Sequence, residues 1–83
     1  MTVRVLFFST LRDLTGAEEV VETLDDGRVW RVADLLERFH ARHPGLRAWD
    51  SRILVAVNRE WTDRDRVLED GQEIAVMPPV QGG

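Results

Sequence analysis

The sequence predicts a two-layer α+β domain, in which one main helix packs on one face of a mixed sheet of four or five strands. A β-branched and aromatic segment opens the chain at residues 3–8, an amphipathic helical segment covers residues 32–39, and an unbroken apolar segment follows at residues 52–57. A chain of 83 residues is enough for one small core and leaves no room for a second. We therefore expect residues 1–77 to form a single domain and residues 78–83 to form an extended tail.

The first elements form an antiparallel pair of strands. Residues 3–8 carry the strongest strand signal, and residues 9–16 read as a loop with one helical turn at 11–14. Residues 18–24 alternate weakly between apolar and polar side chains, as expected of a strand that returns beside the first. The turn that follows, at residues 25–27, contains two aspartates and a glycine.

The main helix is predicted from one apolar stripe with the spacing i, i+3, i+4 and i+7, formed by Val32, Leu35, Leu36 and Phe39. Asp34 lies in the first turn and Arg42 near the end, which suits the helix dipole. Asp34 and Arg38 are also spaced to form an i, i+4 ion pair. Pro44 and Gly45 end the helix.

The second half of the chain supplies the remaining strands. Residues 52–57 are too uniformly apolar for a strand with one face in solvent, so we expect a central strand covered on both faces. Asn58 and Arg59 predict a tight turn into a short strand at 60–62. Residues 63–70 form a charged loop that is pinned to the domain by Val67 and Leu68. The last strand covers residues 73–77.

Composition excludes several classes of function. The chain has no cysteine, which rules out a disulfide, a zinc finger and a thiol nucleophile. A net charge of −4 argues against a surface for double-stranded nucleic acid. We find neither a membrane-span pattern nor a signal peptide and expect a cytoplasmic protein. All 11 basic residues are arginines, so the chain offers no lysine amine to an activated acyl group. A simple bias towards arginine is the better explanation, and the absence of lysine is only compatible with such chemistry.

Three other groups do not predict a site. His40 and His43 are spaced i, i+3 without a third metal ligand, so we expect them to cap the helix or face solvent. Residues 63–66 alternate carboxylate and guanidinium groups but lack the glycine and distal glutamate of a calcium loop, so we expect a solvated charged turn. Ser9 has no base placed beside it.

The chain ends in Gly82 and Gly83, and this is its most informative feature. A C-terminal carboxylate, with a pKa of about 3.5, is ionised and inert at neutral pH. It becomes a carrier once an ATP-dependent enzyme adenylates it. Glycines suit such chemistry because they have no Cβ to block a narrow active site. The competing interpretation is a merely frayed terminus.

The residues before the two glycines predict a tail that is stiff at its base. Pro78 and Pro79 lack amide donors and fix φ near −65°, so the last strand cannot continue through them. Six extended residues reach roughly 20 Å, far enough to enter the pocket of another protein. The tail contains no charged side chain in its sequence Pro78, Pro79, Val80, Gln81, Gly82, Gly83.

The order β-β-α-β-β followed by a diglycine resembles the ubiquitin-like β-grasp. More closely, the whole chain resembles the small subunits of molybdopterin synthase, the sulfur-carrier proteins of molybdenum-cofactor biosynthesis. The matching segments are residues 5–8, Leu11, Arg12, Gly16, residues 32–36, Val57, Asn58, residues 70–75, residues 78–80 and the two glycines. The departures from the family pattern are Gln81, Arg59 and Arg31.

The resemblance implies a mechanism that uses the chain end. A partner related to ubiquitin-activating enzymes adenylates Gly83 with ATP and Mg²⁺, and a sulfur donor converts it to a thiocarboxylate. The small subunit then inserts its tail into the large catalytic subunit, where the sulfur attacks cyclic pyranopterin monophosphate. Two transfers build the dithiolene, within a heterotetramer of two small and two large subunits. This chain binds no cofactor itself.

The resemblance also implies partner-binding residues besides the diglycine. Met77 and Trp61 match positions where the family presents apolar side chains to its partners, and Arg12 matches a basic contact. The tail residues 78–81 belong to the same contact. An alternative for Trp61 is that it covers the edge of the core.

Two other functions stay open. One is a sulfur carrier for thiamine, cysteine or tRNA thiolation. The other is a ubiquitin-like modifier joined to target lysines, or a β-grasp module that binds only through its face.

Overall fold

The computed structural model of the protein describes residues 1–79. Eight elements follow one another along this part of the chain: five strands, two α-helices, and a 3-10 helix between the second α-helix and the third strand. In chain order the elements are β1 (Thr2–Phe7), α1 (Thr10–Thr15), β2 (Glu19–Thr23), α2 (Val32–Arg42), the 3-10 helix (Pro44–Arg52), β3 (Leu54–Val57), β4 (Glu60–Thr62) and β5 (Glu73–Met77).

The five strands form one mixed sheet in the order β2-β1-β5-β3-β4. The first and last strands, β1 and β5, lie side by side in parallel, with Val5 opposite Ile74. All other pairs are antiparallel, including β3 with β5, where Val55 lies opposite Val76. The predicted α+β architecture, with a mixed sheet and one main helix, is therefore confirmed.

The core lies between the sheet and α2. Along β1 the side chains alternate, and those that face the helix are buried: Val3, Val5 and Phe7. All four residues of the predicted helical stripe are at most 1% exposed. Phe39 of the stripe meets Phe7 edge-to-face, with 5.0 Å between the ring centroids. Each such side chain contributes about 1.5–3 kcal/mol by leaving water, so the stripe holds α2 to the sheet.

The charged loop after β4 has a structural role that the sequence did not predict. Arg31 stands at the N-cap of α2, where a guanidinium has no acceptor to offer. The free backbone N–H groups of Val32 and Ala33 instead donate to the carbonyl oxygens of Arg66 and Arg64, at 3.0 Å each. Residues 63–66 do form a charged turn in which Asp63 and Asp65 are exposed, as predicted, but the backbone of this turn also caps the helix.

The ion pairs along α2 also differ from the predicted i, i+4 pair. Asp34 accepts a hydrogen bond from the backbone N–H of Arg31 and pairs with Arg28 rather than with Arg38. Arg38 instead turns to Glu22 on β2, whose buried carboxylate also receives both terminal nitrogens of Arg42. Contacts between elements thus replace the pair within the helix.

Three further predictions about local structure need refinement or correction. The helix does stop before Pro44, but that proline begins the 3-10 helix, whose Leu46 is completely buried. Strand β3 is not covered on both faces, since Leu54 is 37% exposed. Of the two residues expected to pin the charged loop, only Leu68 is buried, while Val67 is exposed.

The turn between β3 and β4 places Asn58 at φ 49° and Arg59 at φ 69°. Two successive residues with positive φ are the pattern of a type I′ hairpin turn, which prefers Asn followed by Gly. Arg59 is therefore in a conformation that costs a non-glycine residue about 1–2 kcal/mol.

Arg59→Gly is expected to stabilise the protein. Relief of the backbone strain, less the greater freedom that glycine gives the unfolded chain, should raise the free energy of unfolding by about 0.5–1 kcal/mol. Urea denaturation measures the change. Arg59→Ala removes the same guanidinium but keeps a Cβ, so it should bring no gain; equal stabilisation by both variants would attribute the effect to charge.

Within residues 1–79, no helix combines the length and the apolar character needed to cross a membrane.

Candidate docking face and tail base

The tail begins in the middle of the sheet rather than at its edge. Strand β5 lies between β1 and β3 and ends at Met77, which is opposite Leu54. The backbone N–H of Phe8 donates to the carbonyl of Val76 at 3.2 Å, so β5 is held from both sides almost to its end. Pro78 follows without an amide proton, which stops the ladder there.

The face of the sheet that points away from α2 is apolar next to this point. One row of residues crosses four strands, because Leu6 lies opposite Ala75, Ala75 opposite Ala56, and Ala56 opposite Trp61. Residues directly opposite one another point to the same face. We call the apolar surface at the tail base the outer patch and define it as Leu6, Phe8, Leu54, Ala56, Trp61, Ala75 and Met77.

The outer patch holds most of its apolar surface in three large side chains. Trp61 is 64% exposed, Phe8 43% and Leu54 37%. The interpretation that Trp61 covers the edge of the core is therefore wrong. Its predicted contact with a partner stays a prediction.

The other end of the same face is polar. Arg4 lies between two carboxylates and contacts Glu19 at 3.2 Å and Glu73 at 2.8 Å. Such half-exposed pairs contribute little to stability, but they keep this end of the face hydrated. Val21, which lies opposite Arg4, adds one exposed apolar side chain to this end. The larger apolar side chains Trp61, Phe8 and Leu54 lie together in the half of the sheet from which the tail leaves.

Arg12 lies beside the outer patch. It stands on α1, is about half-exposed and contacts Glu18 at 3.2 Å. The two residues line a shallow groove together with Leu6 and Phe8. The structure therefore brings the predicted basic contact next to the apolar surface.

The remaining predicted site residues divide between described and undescribed parts of the chain. Met77, Pro78 and Pro79 are partly exposed at the end of β5. Val80, Gln81, Gly82 and Gly83 lie outside the described residues, so the extended tail over 78–83 and the role of its diglycine stay predictions.

A polar cluster beneath the sheet edge escaped the sequence analysis. His40 does not cap the helix or face solvent, as expected, but is 2% exposed, and its Nε2 lies 2.5 Å from Oδ1 of Asp50. Arg64 donates from Nη1 to the same Asp50 oxygen at 2.8 Å, and from Nη2 to the Asp50 backbone carbonyl. The burial of His40 could have been predicted from helical spacing, because Val32, Leu36 and His40 follow one another at intervals of four residues on the buried face of the helix. Its partners could not be located from sequence spacing.

This cluster makes stability depend on pH. The hydrogen bond from Arg64, followed by the one with His40, holds the pKa of the Asp50 carboxyl below its usual range. A carboxyl group with a lowered folded pKa stabilises the protein above its unfolded pKa of about 3.9. That contribution is lost as the pH falls through the lower, folded pKa.

Asp50→Asn should therefore lower the free energy of unfolding at neutral pH and make its decline in acid shallower. Urea denaturation is followed from neutral pH down through the unfolded pKa to the most acidic pH at which the protein stays folded, because the contribution is lost below that unfolded value. Asp13→Asn on the exposed helix α1 is the charge-matched control. Parallel acid declines for the wild type and Asp50→Asn would contradict this account.

No group of three or more potential metal ligands occurs among residues 1–79.

Comparison with known proteins extends over the whole sequence and agrees with the family resemblance stated above. The chain matches the ThiS family over residues 5–83. It is 35% identical to the molybdopterin synthase sulfur carrier subunit of Chlamydomonas reinhardtii, with 100% of both chains covered. It is 36% identical to the human protein of the same name, covering 98% of this chain and 93% of that one. Small archaeal modifier protein 3 of Haloferax volcanii is 31% identical, with 100% of both covered.

Solved structures share the fold. The small archaeal modifier protein 1 of Haloferax volcanii superposes with a TM-score of 0.81 at 27% identity, with 100% of both chains covered. A chain from the complex of subunits 1 and 2 of the molybdopterin-converting factor of Helicobacter pylori gives 0.69 at 26% identity, again covering 100% of both. These neighbours identify the fold as the ubiquitin-like β-grasp that the sequence predicted. The resemblance to the sulfur-carrier proteins is confirmed as well, and the chain belongs to the ThiS family.

Proposed function

We propose that this chain is the sulfur carrier subunit of a molybdopterin synthase. Membership of the ThiS family and whole-length relatives with that name support the proposal. The observation that carries it is the outer patch at the base of a diglycine-ended tail. A carrier needs both parts, since one surface must hold the partner while the chain end reaches its active site.

The reactive group in this proposal is the carboxylate of Gly83. Attack of its oxygen on the α-phosphorus of ATP, with Mg²⁺ bound by the activating partner, releases pyrophosphate and forms an acyl adenylate. A sulfide-level sulfur nucleophile supplied by the donor then attacks the acyl carbon, and AMP leaves. The product is a thiocarboxylate, which is ionised and more polarisable than a carboxylate and is therefore the better nucleophile.

The sulfur acceptor is cyclic pyranopterin monophosphate in the large subunit. Each transfer uses one thiocarboxylate, so two carrier chains in the thiocarboxylate form are needed to build one dithiolene. We propose the heterotetramer of two small and two large subunits for this reason, and the cytoplasm as its location because activation uses ATP. The Helicobacter pylori complex of two converting-factor subunits supports a large-subunit partner.

The outer patch supplies the binding energy for docking. Ordering the tail costs about 1–2 kcal/mol per residue, and the two prolines reduce that cost. A few hundred Å² of buried apolar surface, at about 25 cal/mol per Å², offsets the remainder. Large, partly exposed side chains such as Trp61 and Phe8 are suited to provide this area.

Coexpression with an adenylating enzyme and a sulfur donor tests the proposal, followed by intact mass measurement. We expect a mass increase equal to the exchange of one oxygen for sulfur, located on the C-terminal peptide. An unchanged mass, under conditions that convert a known carrier to its thiocarboxylate, would contradict the proposal.

A ubiquitin-like modifier is the second candidate, and the 31% identity to small archaeal modifier protein 3 favours it. The same coexpression separates the two functions. A modifier would appear as isopeptide-linked adducts on lysines of many proteins, whereas a dedicated carrier would appear only as the thiocarboxylate. A carrier for another thiolation pathway would be charged in the same way but would fail to convert the pyranopterin precursor.

A further inference from the structure

Trp61, the most exposed large residue of the outer patch, lies on the smallest strand. β4 has three residues and, among residues 1–79, stands at the edge of the sheet with β3 as its one neighbour. Short edge elements open more readily than the central strands of a sheet. The orientation of Trp61 therefore depends on what holds the two ends of β4.

The first end is held by Asn58 in the hairpin turn. Its backbone N–H donates to the carbonyl of Glu73 at 2.8 Å. Its side-chain oxygen accepts the N–H of Glu73 at 2.9 Å. This end of β4 is thus fixed to the central strand β5.

The second end is held by Arg64, which follows two positions after the strand. Its guanidinium binds both the carboxylate and the backbone carbonyl of Asp50 in the 3-10 helix. Its own carbonyl accepts the N–H of Ala33 at 3.0 Å, in the first turn of α2. One residue therefore ties β4 to two elements of the body.

Asp50 is in turn fixed from its other side. The buried imidazole of His40 contacts the same carboxylate oxygen that Arg64 binds. Because His40 belongs to the packed face of α2, the carboxylate that binds Arg64 is itself held against the body of the protein. Arg64 also lines a shallow groove with Trp61 and Leu54, so the anchor adjoins the outer patch directly.

We propose that Arg64 is a positioning residue for docking, which acts by holding β4 so that Trp61 is presented to the large subunit in one orientation. This inference rests on the proposed function. Arg64 acts through Trp61 and needs no contact with the partner itself. It should therefore lose its influence on binding when the indole is absent.

A double-mutant cycle on the full chain tests the proposal, with calorimetric titration against the large subunit of molybdopterin synthase from the same organism. Arg64→Met should weaken binding about five- to tenfold and Trp61→Ala about 30-fold or more. The double variant should bind within about twofold of Trp61→Ala alone, since coupled residues are not additive. Arg64→Lys, which retains the cation, should recover part of the loss.

Arg47→Met is the matched control, because it breaks an exposed arginine–carboxylate pair between the same 3-10 helix and α2, in which neither Arg64 nor β4 takes part. It should leave the affinity unchanged. Equal affinity of Arg64→Met and the wild type would overturn the inference, and so would effects that multiply fully in the double variant. A wild-type chain that does not bind the large subunit would instead contradict the proposed function.

A second measurement applies if Arg64→Met does not fold. Asp50→Asn keeps an acceptor for the guanidinium but weakens the anchor. Amide hydrogen exchange in this variant should accelerate more at Glu60–Thr62 than at Thr2–Phe7, where the central strand responds only to the loss of global stability. An equal change in exchange rate at both strands, relative to the wild type, would show that the anchor does not control β4.

Discussion

Removal of Gly83 should abolish sulfur transfer and leave the fold intact. The variant still ends in a glycine carboxylate, but that group lies one residue, or about 3.5 Å, short of the original position. A misplacement of even 1 Å at a reacting centre can reduce a rate about 100-fold, so we expect a loss of at least that size. The measurements are thiocarboxylate formation by intact mass and synthesis of molybdopterin by the reconstituted complex.

Stability separates this chemical effect from unfolding. The core residues that the structure describes run from Val3 to Val76, and we expect the deletion to leave the midpoint of urea denaturation unchanged. One alanine added after Gly83 should be equally inactive, because it moves the carboxylate and adds a Cβ at the reacting residue. Val29→Ala, an exposed position outside the tail and the outer patch, is the control and should remain active. An active deletion variant would show that the chain end is not the reacting group.

A carboxylate introduced into the outer patch should prevent docking. Met77→Asp and Trp61→Asp each replace apolar contact area with a charge that the complex would have to bury unpaired. Loss of a central apolar contact commonly costs about 2–4 kcal/mol of binding energy, which is a reduction in affinity of about 30- to 1000-fold. Calorimetric titration against the large subunit measures it.

Val29→Asp provides the matched control. Val29 is 61% exposed, close to the 64% of Trp61, but precedes α2 and lies outside the outer patch. It should bind like the wild type. Equal losses for Val29→Asp and Trp61→Asp would indicate a general effect of added negative charge, and no loss at Trp61 and Met77 would mean that the partner docks elsewhere.

Much of the fold could be predicted because its signals are local. The stripe on α2 and the alternation along β1 follow directly from helical and strand periodicity, and both proved to be the core. The hairpin at Asn58 followed from residue preferences in turns. The parallel pairing of β1 with β5 joins opposite ends of the chain, and periodicity carries no information about such partners.

The errors share a physical cause. Residues 44–52 carry no strong period, and their 3-10 helix is fixed by the burial of Leu46 against the rest of the core. Without that segment in place, Asp50 could not be put beside His40. The charged loop was assigned to solvent because its side chains are polar, whereas its backbone carbonyls cap α2.

The candidate site could be predicted only in part. The diglycine, the prolines and the apolar residues Met77 and Trp61 were evident from the sequence and its resemblance. The continuity of the outer patch across four strands depends on strand order. The anchoring of β4 by Arg64 depends on side-chain geometry, which a pattern of charges does not specify.

A single-turnover reconstitution tests the central claim most directly. The chain in its thiocarboxylate form is mixed with the large subunit and cyclic pyranopterin monophosphate, without ATP or any other sulfur source. The account predicts that molybdopterin forms, with two chains returning to the carboxylate mass for each molecule made. If the precursor stays unconverted while the same large subunit reacts with an established carrier, this chain does not serve that synthase.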